Sequence, residues 1–315
     1  MQISPAPLFT DIKPGPEDGA AYWLQTSDGK RIRVGHWQPK GAKGTVLLFP
    51  GRTEYIEKYG FCAAELAARG LATFAVDWRG QGLSDRLTEN PLIGHVDLFQ
   101  DYQKDVGAMV RAARELGLPR PFFLLAHSMG GAIGLRAVME GLPVKAAAFS
   151  GPMWGIRMAP HLRQLAWALT RLMPHVGRGL SLPPGTKIQP YPVTEPFENN
   201  MLTTDTQMYS MMRDQVTAHP ELGLGGPSYV WLGEALAETA HLASRAAPNL
   251  PCVTFVGSNE RIVDMTRIQS RMGKWAGGRL GIIPSGEHEV LLEQDALRRP
   301  IFDALEKLFL GTVTN

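Results

Sequence analysis

A serine, a histidine and two carboxylates stand in this sequence where they could carry out nucleophilic catalysis. Ser128 lies in the stretch AHSMG, which departs from the nucleophile-elbow pattern G-x-S-x-G only at Ala126 and follows the apolar run PFFLLAH. The elbow is so tight that the residues two before and two after the serine must be small, as Ala126 and Gly130 are. Because a serine is a poor nucleophile until a base removes its proton, Ser128 predicts a histidine and an acid further along the chain.

The general base is predicted to be His288. After such an elbow the acid and then the base follow in chain order, each on a loop after a strand. Of the eight histidines, His288 alone follows the last predicted strand by a few residues, in IIPSGEHEVLLEQ. The others occur in a hairpin, before a helix, beside Ser128 with the ring facing away, or in and beside a long insertion: His36, His95, His127, His161, His175, His219 and His241.

Two carboxylates compete for the role of the acid that orients the histidine. Both lie in the loop SNERIVD, after the predicted strand PCVTFVG. Glu260 stands just past the strand end, where such an acid is expected, and we favour it. Asp264 precedes a helical pattern and could instead cap that helix, so it is kept as the alternative acid.

The oxyanion of a tetrahedral intermediate needs two backbone donors. We predict the first to be the N–H of Met129, the residue after the nucleophile. The second is expected from the loop after the strand GTVLLFPG, where the N–H of Arg52 is the best candidate and Gly51 lets the chain turn. The Arg52 side chain either points at the pocket mouth or pairs with Glu54 or Glu57 on a solvated face.

Alternating strand and helix patterns must position these residues. Continuous apolar runs such as GTVLLFPG, LATFAVD and PFFLLAH predict strands buried on both faces, and the segments between them have helical spacing. The stretch AAYWLQTSDGKRIRVGHWQP predicts a β-hairpin that turns at Asp28-Gly29. The glycines of DWRGQGLSD predict a turn, and Arg79 and Asp85 in it are given no catalytic role. The fold class is therefore predicted to be α/β, with a mostly parallel central sheet flanked by helices.

The strand–helix rhythm breaks after Gly151. We interpret residues 151–228, which are rich in proline, turn residues and methionine, as a helical cap (lid) above the carboxyl edge of the sheet, where ligands bind. The predicted core comprises residues 1–150 and 229–315. The methionines either pack the cap onto the core or line a slot for an acyl chain. Four residues of the insertion are predicted to line the substrate pocket: Trp154, Phe197, Tyr209 and Met212.

Composition limits the function classes. The 315 residues carry a formal net charge of +2 and no basic cluster, which argues against nucleic acid as a partner. No stretch has the length of a membrane span, and MQISPAPLFTDIKPGPEDG has no apolar core of signal-peptide length. Contact between an apolar cap rim and a bilayer stays open. Cys62 and Cys252 fit buried reduced thiols better than a disulfide, so we expect a cytoplasmic protein.

Six ordered stretches together resemble the lysophospholipase L2 and monoacylglycerol lipase group of α/β-hydrolases, which is grouped with the serine aminopeptidases S33: FPGRTEYIEKYG, VDWRGQGLSDR, HVDLFQDY, LLAHSMGG, GSNERIVD and GEHEVLLE. The resemblance covers nearly the whole chain except parts of the insertion. It implies an α/β-hydrolase fold with an inserted helical cap. It also implies roles for five residues: Ser128 as nucleophile, His288 as base, Glu260 as acid, and Arg52 and Met129 as oxyanion donors.

The sequence departs from the family pattern at two places. Ala126 replaces the first glycine of the elbow, and Pro50 stands where many relatives have histidine before the oxyanion glycine. Neither departure removes a backbone donor.

Three functions from different classes follow. The leading one is hydrolysis of a single-chain lipid ester, a lysophospholipid or a monoacylglycerol, through an acyl-enzyme on Ser128, with no metal or organic cofactor. A peptidase or amidase with the same triad would need a group that binds a free amine, and the cap offers Glu195, Glu198 and Asp205. The third is a ligand-binding protein with an idle triad, from which fluorophosphonate labelling of Ser128 would distinguish both enzymes.

Overall fold

One β-sheet forms the centre of the protein. The structure is a computed structural model and describes residues 3–12 and 15–312. Its strands are β1 (Ile3–Ala6), β2 (Ala20–Gln25), β3 (Arg31–Trp37), β4 (Thr45–Phe49), β5 (Ala72–Asp77), β6 (Phe122–His127), β7 (Ala147–Ser150), β8 (Cys252–Gly257) and β9 (Arg279–Ile283). Side by side, these strands lie in the order β1-β2-β3-β5-β4-β6-β7-β8-β9.

The sheet is parallel from β5 through β9 and antiparallel at the β1–β3 edge. β4 pairs in parallel with β5 and β6, and β3 is antiparallel to β5. Every residue of β4 and β6 is buried, because a parallel strand with helices over both faces has no side facing water. β2 and β3 form the hairpin that the sequence predicts, with Gly29 of its turn in the left-handed region at φ 79°. The predicted α/β fold class is confirmed.

Helices cover both faces of the sheet. They are α1 (Gly60–Ala68), α2 (Tyr102–Glu115), α3 (Ser128–Met139), α4 (Pro160–His175), α5 (Tyr191–Thr194), α6 (Thr206–Ala218), α7 (Tyr229–Ser244), α8 (Met265–Met272) and α9 (Asp295–Gly311). Short 3-10 helices cover Ile56–Tyr59, Phe99–Asp101, Phe197–Asn199, Pro220–Leu222 and Val290–Leu292.

Successive residues of the strands point to opposite faces of the sheet and pack into two apolar cores. Leu66 of α1 and Leu305 of α9 pack in one core with Phe123, whereas Ile133 of α3 packs in the other with Leu124. Each such fully buried side chain stabilises the fold by about 1.5–3 kcal/mol. The two layers hold the carboxyl ends of β4, β6, β7 and β8 at one edge of the sheet.

The segment between β7 and α7 carries α4, α5 and α6. α4 packs against α7, and Ser228 caps α7 by accepting a hydrogen bond from the N–H of Trp231. The boundaries at 151 and 228 stay a prediction. Residues 1–2 and 13–14, which belong to the stretch MQISPAPLFTDIKPGPEDG, and residues 313–315 of the predicted core lie outside the described residues.

Two further sequence-based expectations concern membranes and cysteines. Within the described part of the chain, no helix combines the length and the apolar character needed to cross a bilayer. Cys62 and Cys252 are both buried and free.

Candidate active site

Ser128 stands at the turn from β6 into α3. Its φ of 48° is in the left-handed region, which non-glycine residues adopt rarely. A Cβ on Gly130 would lie 2.1 Å from the carbonyl oxygen of Phe49, so glycine is required there. A Cβ on Gly134 would lie 3.1 Å from the Cβ of Ala126, so the missing side chain of Gly134 leaves room for the extra methyl group of this elbow.

The structure brings Ser128, His288 and Glu260 together. Ser128 Oγ lies 2.9 Å from His288 Nε2, and His288 Nδ1 lies 2.7 Å from Glu260 Oε2. His288 and Glu260 are buried, as is expected of a base and an acid that must hold their geometry away from water. This is the arrangement of a serine–histidine–acid triad, in which the acid fixes the tautomer and orientation of the imidazole.

The Glu260 carboxylate is held at both oxygens. Oε1 accepts hydrogen bonds from the N–H groups of Ile262 and Val263 at 2.6 and 3.0 Å, while Oε2 faces His288. Burial alone would raise the pKa of Glu260, but the charge of His288 and these hydrogen bonds outweigh burial and lower it below its ordinary value. The carboxylate therefore stays ionised beside the imidazole at neutral pH.

Asp264, the alternative acid, lies elsewhere. Its carboxylate caps α8 by accepting hydrogen bonds from the N–H groups of Thr266 and Arg267. Oδ2 also lies 3.1 Å from Arg163 Nη2. The helix-capping role that the sequence allowed for Asp264 is the one that the structure shows.

The loop that carries His288 is tied to the segment before α6. The His288 and Glu289 N–H groups donate to the carbonyl oxygens of Met201 and Leu202. On its other side, Gly151 approaches so closely that a Cβ there would lie 3.1 Å from the His288 ring. The segment before α6 thus holds the backbone at His288, and Gly151 packs closely against its ring.

The loop after β4 is strained and supported from the turn after β5. Thr53 has φ 65°, which is rare for a β-branched residue. Trp78 Nε1 donates to the Pro50 carbonyl oxygen at 2.9 Å, and Gln81 Nε2 donates to that of Gly51 at 2.8 Å. This is a supporting function of the DWRGQGLSD stretch that the sequence analysis missed. Its Arg79 pairs with Asp105 and has no contact with the triad.

Arg52 and Met129, the predicted oxyanion donors, both line the cavity at Ser128. The Arg52 guanidinium lies beside the ring of Trp231, which also lines the cavity, and its Nη1 donates to the Gly225 carbonyl oxygen at 2.7 Å. Pairing of Arg52 with Glu54 or Glu57 on a solvated face is wrong. Both carboxylates are buried, and they bind Lys58 and Arg33 instead.

A buried ion network lies behind His288. Lys58 Nζ lies 2.6 Å from a carboxylate oxygen of both Glu54 and Glu289, and His127 Nε2 lies 3.2 Å from Glu289 Oε2. Glu54 also accepts hydrogen bonds from the Gly51 N–H and the Tyr59 hydroxyl group. The network therefore connects the loop after β4 to the residue after His288.

The same network contains the set of side chains most like a metal site in the described chain. The ligand atoms of Glu54, His127 and Glu289 lie within 4.8 Å of one another. The Lys58 ammonium group already bridges the two carboxylates, and it neutralises charge that a metal ion would otherwise balance. The set fits a salt-bridge network rather than a metal site.

A cavity of about 320 Å³ opens onto Ser128 and His288. This volume lies at the lower end of the range typical of small-molecule sites. Its walls are mainly apolar, and the apolar lining residues include Met153, Ile156, Tyr191, Met201, Leu202, Met212, Val216, Leu224, Trp231, Leu232, Ile262 and Val263. Three methionines of the insertion thus line the cavity, whereas Met208 and Met211 pack in the core, so both interpretations of the methionines hold.

Of the four predicted wall residues, Met212 lines this cavity, but Trp154, Phe197 and Tyr209 do not. Trp154 is directed into the core beneath α3, where its Nε1 donates to the Gly131 carbonyl oxygen at 3.1 Å. Phe197 and Tyr209 pack edge to face with each other, and the Tyr209 hydroxyl group donates to the Glu195 carbonyl oxygen. These three side chains are wrong as pocket walls because each is taken up by packing elsewhere.

Comparison with known proteins extends these observations. A family model described as serine aminopeptidase, S33, matches residues 40–295. Lysophospholipase L2 of Escherichia coli (strain K12) is 33% identical over 278 residues, which are 84% of this chain and 79% of that protein. Monoacylglycerol lipase of Mycolicibacterium smegmatis is 25% identical over 298 residues, which are 91% of this chain and 92% of that protein.

Solved structures show the same fold. A soluble variant of monoglyceride lipase from Saccharomyces cerevisiae, crystallised with a substrate analogue, superposes with a TM-score of 0.71 at 19% identity, covering 98% of this chain and 99% of that one. A thermostable carboxyl esterase from Bacillus coagulans superposes with a TM-score of 0.74 at 14% identity, covering 94% and 99%. At these identities the likeness shows the fold alone.

Proposed function

Because the chain belongs to the serine aminopeptidase S33 family and is a hydrolase of α/β fold, we propose that it cleaves the acyl ester of single-chain lipids, lysophospholipids or monoacylglycerols. The observation that carries the proposal is the apolar cavity that ends at the Ser128–His288 pair. An acyl chain can bury its methylene groups against such walls, at about 0.8 kcal/mol for each group. The names of the lysophospholipase and monoacylglycerol lipase relatives support the same substrate class.

In the proposed mechanism His288 Nε2 takes the proton of Ser128 as Oγ attacks the ester carbonyl carbon. The Glu260 carboxylate holds the imidazole and stabilises the imidazolium that forms. The negative charge moves to the carbonyl oxygen, where the N–H groups of Arg52 and Met129 receive it, each donor being worth about 3 kcal/mol.

Collapse of the tetrahedral intermediate breaks the ester bond. His288 then gives its proton to the leaving alcohol, and the acyl group stays on Ser128 Oγ. His288 next removes a proton from water, whose oxygen attacks the acyl carbon. The second tetrahedral intermediate then breaks its bond to Ser128 Oγ, which takes the proton back from His288, and the fatty acid is released.

Peptidase activity is the second candidate enzyme function, and the carboxylates in the insertion and in the cavity lining give it little support. Glu195, Glu198 and Asp205 do not line the cavity; Asp205 instead caps α6 through the N–H groups of residues 207 and 208. The carboxylates that do line it, Glu54 and Glu289, are both bound to Lys58, so neither is free to bind a substrate amine.

Contact with a bilayer surface is part of the proposal. Four apolar side chains of one stripe along α4 and its C-terminal end are 50–57% exposed: Leu162, Leu165, Leu172 and Val176. Such a stripe can insert at the boundary between headgroups and acyl chains, where single-chain lipids reside. We also infer a cytoplasmic location, which the two buried unpaired thiols support; burial raises the pKa of Cys252 to about 12.

The experiment that tests the proposal compares initial rates on a monoacylglycerol and a lysophosphatidylcholine with the same acyl chain. Serine-dependent release of fatty acid, absent in Ser128→Ala, is expected from at least one of them. Release from neither, by a protein whose Ser128 is still labelled by a fluorophosphonate, would contradict the lipid substrate and leave peptides and small soluble esters. Failure to label Ser128 would favour the ligand-binding reading instead.

A further inference from the structure

Arg52, a residue of the cavity lining, carries a guanidinium group that no carboxylate in the described part of the chain neutralises. Nη1 donates to the Gly225 carbonyl oxygen, and Cζ lies 5.5 Å from the centroid of the Trp231 ring. Among the residues that the structure describes, no ion pair joins Arg52 to an acid. By contrast, the other basic side chain of the lining, Lys58, lies between Glu54 and Glu289.

A cation without a counter-ion in an apolar cavity destabilises the protein unless a ligand supplies the missing negative charge. Burial lowers the pKa of Arg52 to about 10, so the side chain remains charged at neutral pH. One carbonyl oxygen and one indole face satisfy only part of a guanidinium group that has five N–H donors. The remaining donors suit an oxyanion, and the fork of a guanidinium matches phosphate geometry.

The length of the side chain matches a glycerophospholipid. The path from the Arg52 nitrogen, the proposed oxyanion donor, to Cζ crosses about six bonds, and so does the path from the ester carbonyl carbon to the phosphorus of a 1-acyl lysophospholipid. When the carbonyl oxygen is at the Arg52 N–H, the phosphate of the headgroup and the guanidinium therefore have a similar reach from that point. A monoacylglycerol has only a neutral hydroxyl group at that distance.

We propose that the Arg52 guanidinium binds the phosphodiester of a lysophospholipid and makes the enzyme favour lysophospholipids over monoacylglycerols of the same chain length. The inference rests on the proposed function, because it assigns the headgroup of that same substrate class. The Arg52 backbone N–H serves the oxyanion and the side chain serves the headgroup, so a substitution by any residue except proline separates the two roles.

The test compares kcat/KM for a lysophosphatidylcholine with kcat/KM for the 1-monoacylglycerol of the same chain. In Arg52→Met the ratio of the two values is expected to fall at least about tenfold, as loss of a charge-assisted hydrogen bond implies. Arg52→Lys, which keeps the charge but loses the fork, should lie between Arg52→Met and the wild type. Arg213→Met is the matched control, because it removes an exposed cation that does not line the cavity. It should leave the ratio unchanged.

An equal fall for both lipids in Arg52→Met would overturn the inference. It would mean that the side chain only supports the backbone through Gly225. A ratio unchanged by either substitution would overturn it as well.

A second measurement separates this inference from the proposed function. Hydrolysis of p-nitrophenyl butyrate is followed in the presence of hexadecylphosphocholine or hexadecylglycerol, neither of which has an ester to cleave. The phosphodiester is expected to inhibit the wild type more strongly than Arg52→Met, and hexadecylglycerol to inhibit both alike. If the phosphodiester inhibits the wild type more strongly but neither lipid is hydrolysed, the proposed substrate would be wrong and the anion site would still be supported. Equal inhibition of both proteins by the phosphodiester would contradict the anion site at Arg52 and would leave the proposed function unaffected.

Discussion

The rings of His127 and His288 lie 4.8 Å apart, centroid to centroid, with 56° between their planes. His288 faces Ser128 and Glu260, while His127 lies on the other side, where Nδ1 is 3.0 Å from Ser150 Oγ and Nε2 faces Glu289. The ionisable groups around His127 are therefore Glu54, Lys58, Glu289 and His288. The imidazole of the proposed base thus packs against a second imidazole that belongs to a buried ion network.

His127 is expected to make stability depend on pH. Burial lowers its pKa, but the charges of Glu289 and Glu54 outweigh burial and raise it above the ordinary value of 6.5. A raised pKa in the folded state stabilises the fold below 6.5, and this contribution is lost as the pH rises through the raised value. The free energy of unfolding lost in His127→Gln should therefore be larger near pH 6 than near pH 9, as urea titrations would measure. An equal loss at both pH values would mean that His127 is neutral in the folded protein.

Glu260→Gln should lower kcat by roughly 10⁴-fold, because the neutral amide cannot stabilise the imidazolium and favours the wrong tautomer. Asp264→Asn should change kcat by less than about threefold, since asparagine also caps helices and this residue does not touch His288. Steady-state hydrolysis of a p-nitrophenyl ester measures both variants. The reverse ranking would assign the acid to Asp264.

Gly130→Ala should destabilise the fold by about 3 kcal/mol or more, because the added methyl group would meet the backbone oxygens of Phe49 and Pro50 at 2.1 and 2.5 Å. The control is Gly107→Ala on α2, where the methyl group would meet only Arg111 Nη1, at 3.5 Å. That substitution should stabilise the protein by up to about 1 kcal/mol, through helix propensity. Urea unfolding measures both. Equal free energies of unfolding for the two variants would show that the backbone at the elbow accommodates the added methyl group without loss of stability.

The triad could be predicted because its determinants are local. A strand, a tight turn and a small residue at Gly130 identify Ser128, and His288 and Glu260 each follow a recognisable strand end. Burial of the Glu54–Lys58 pair could not be predicted, because opposite charges four residues apart also typify an exposed helix face.

Orientation of the inserted helices was harder still. Met212 and Tyr209 lie three residues apart on α6, yet only Met212 lines the cavity. Residues three apart are neighbours on a helix surface, so which of the two faces the substrate depends on how the insertion docks rather than on the pattern of the helix itself. The Arg52 side chain posed a similar problem, since its contact with Gly225 joins residues far apart in the chain.

The exposed stripe on α4 is expected to bind the surface of a bilayer. Leu165 and Leu172 are 52% and 53% exposed, and replacing both with glutamate would place two charges where acyl chains should lie. Leu165→Glu/Leu172→Glu should therefore sediment less with vesicles of phosphatidylcholine and lysophosphatidylcholine than the wild type does. Its hydrolysis of dissolved p-nitrophenyl butyrate should be unchanged, because neither residue lines the cavity.

The matched control places two glutamates on exposed positions of α4 beside the stripe, as Gln164→Glu/His175→Glu. If charge alone weakened binding to the vesicles, both double variants would sediment equally poorly. If the apolar stripe is the contact, only Leu165→Glu/Leu172→Glu should lose binding. Sedimentation of all three proteins to the same extent would mean that α4 does not contact the bilayer, and that single-chain lipids reach Ser128 from solution.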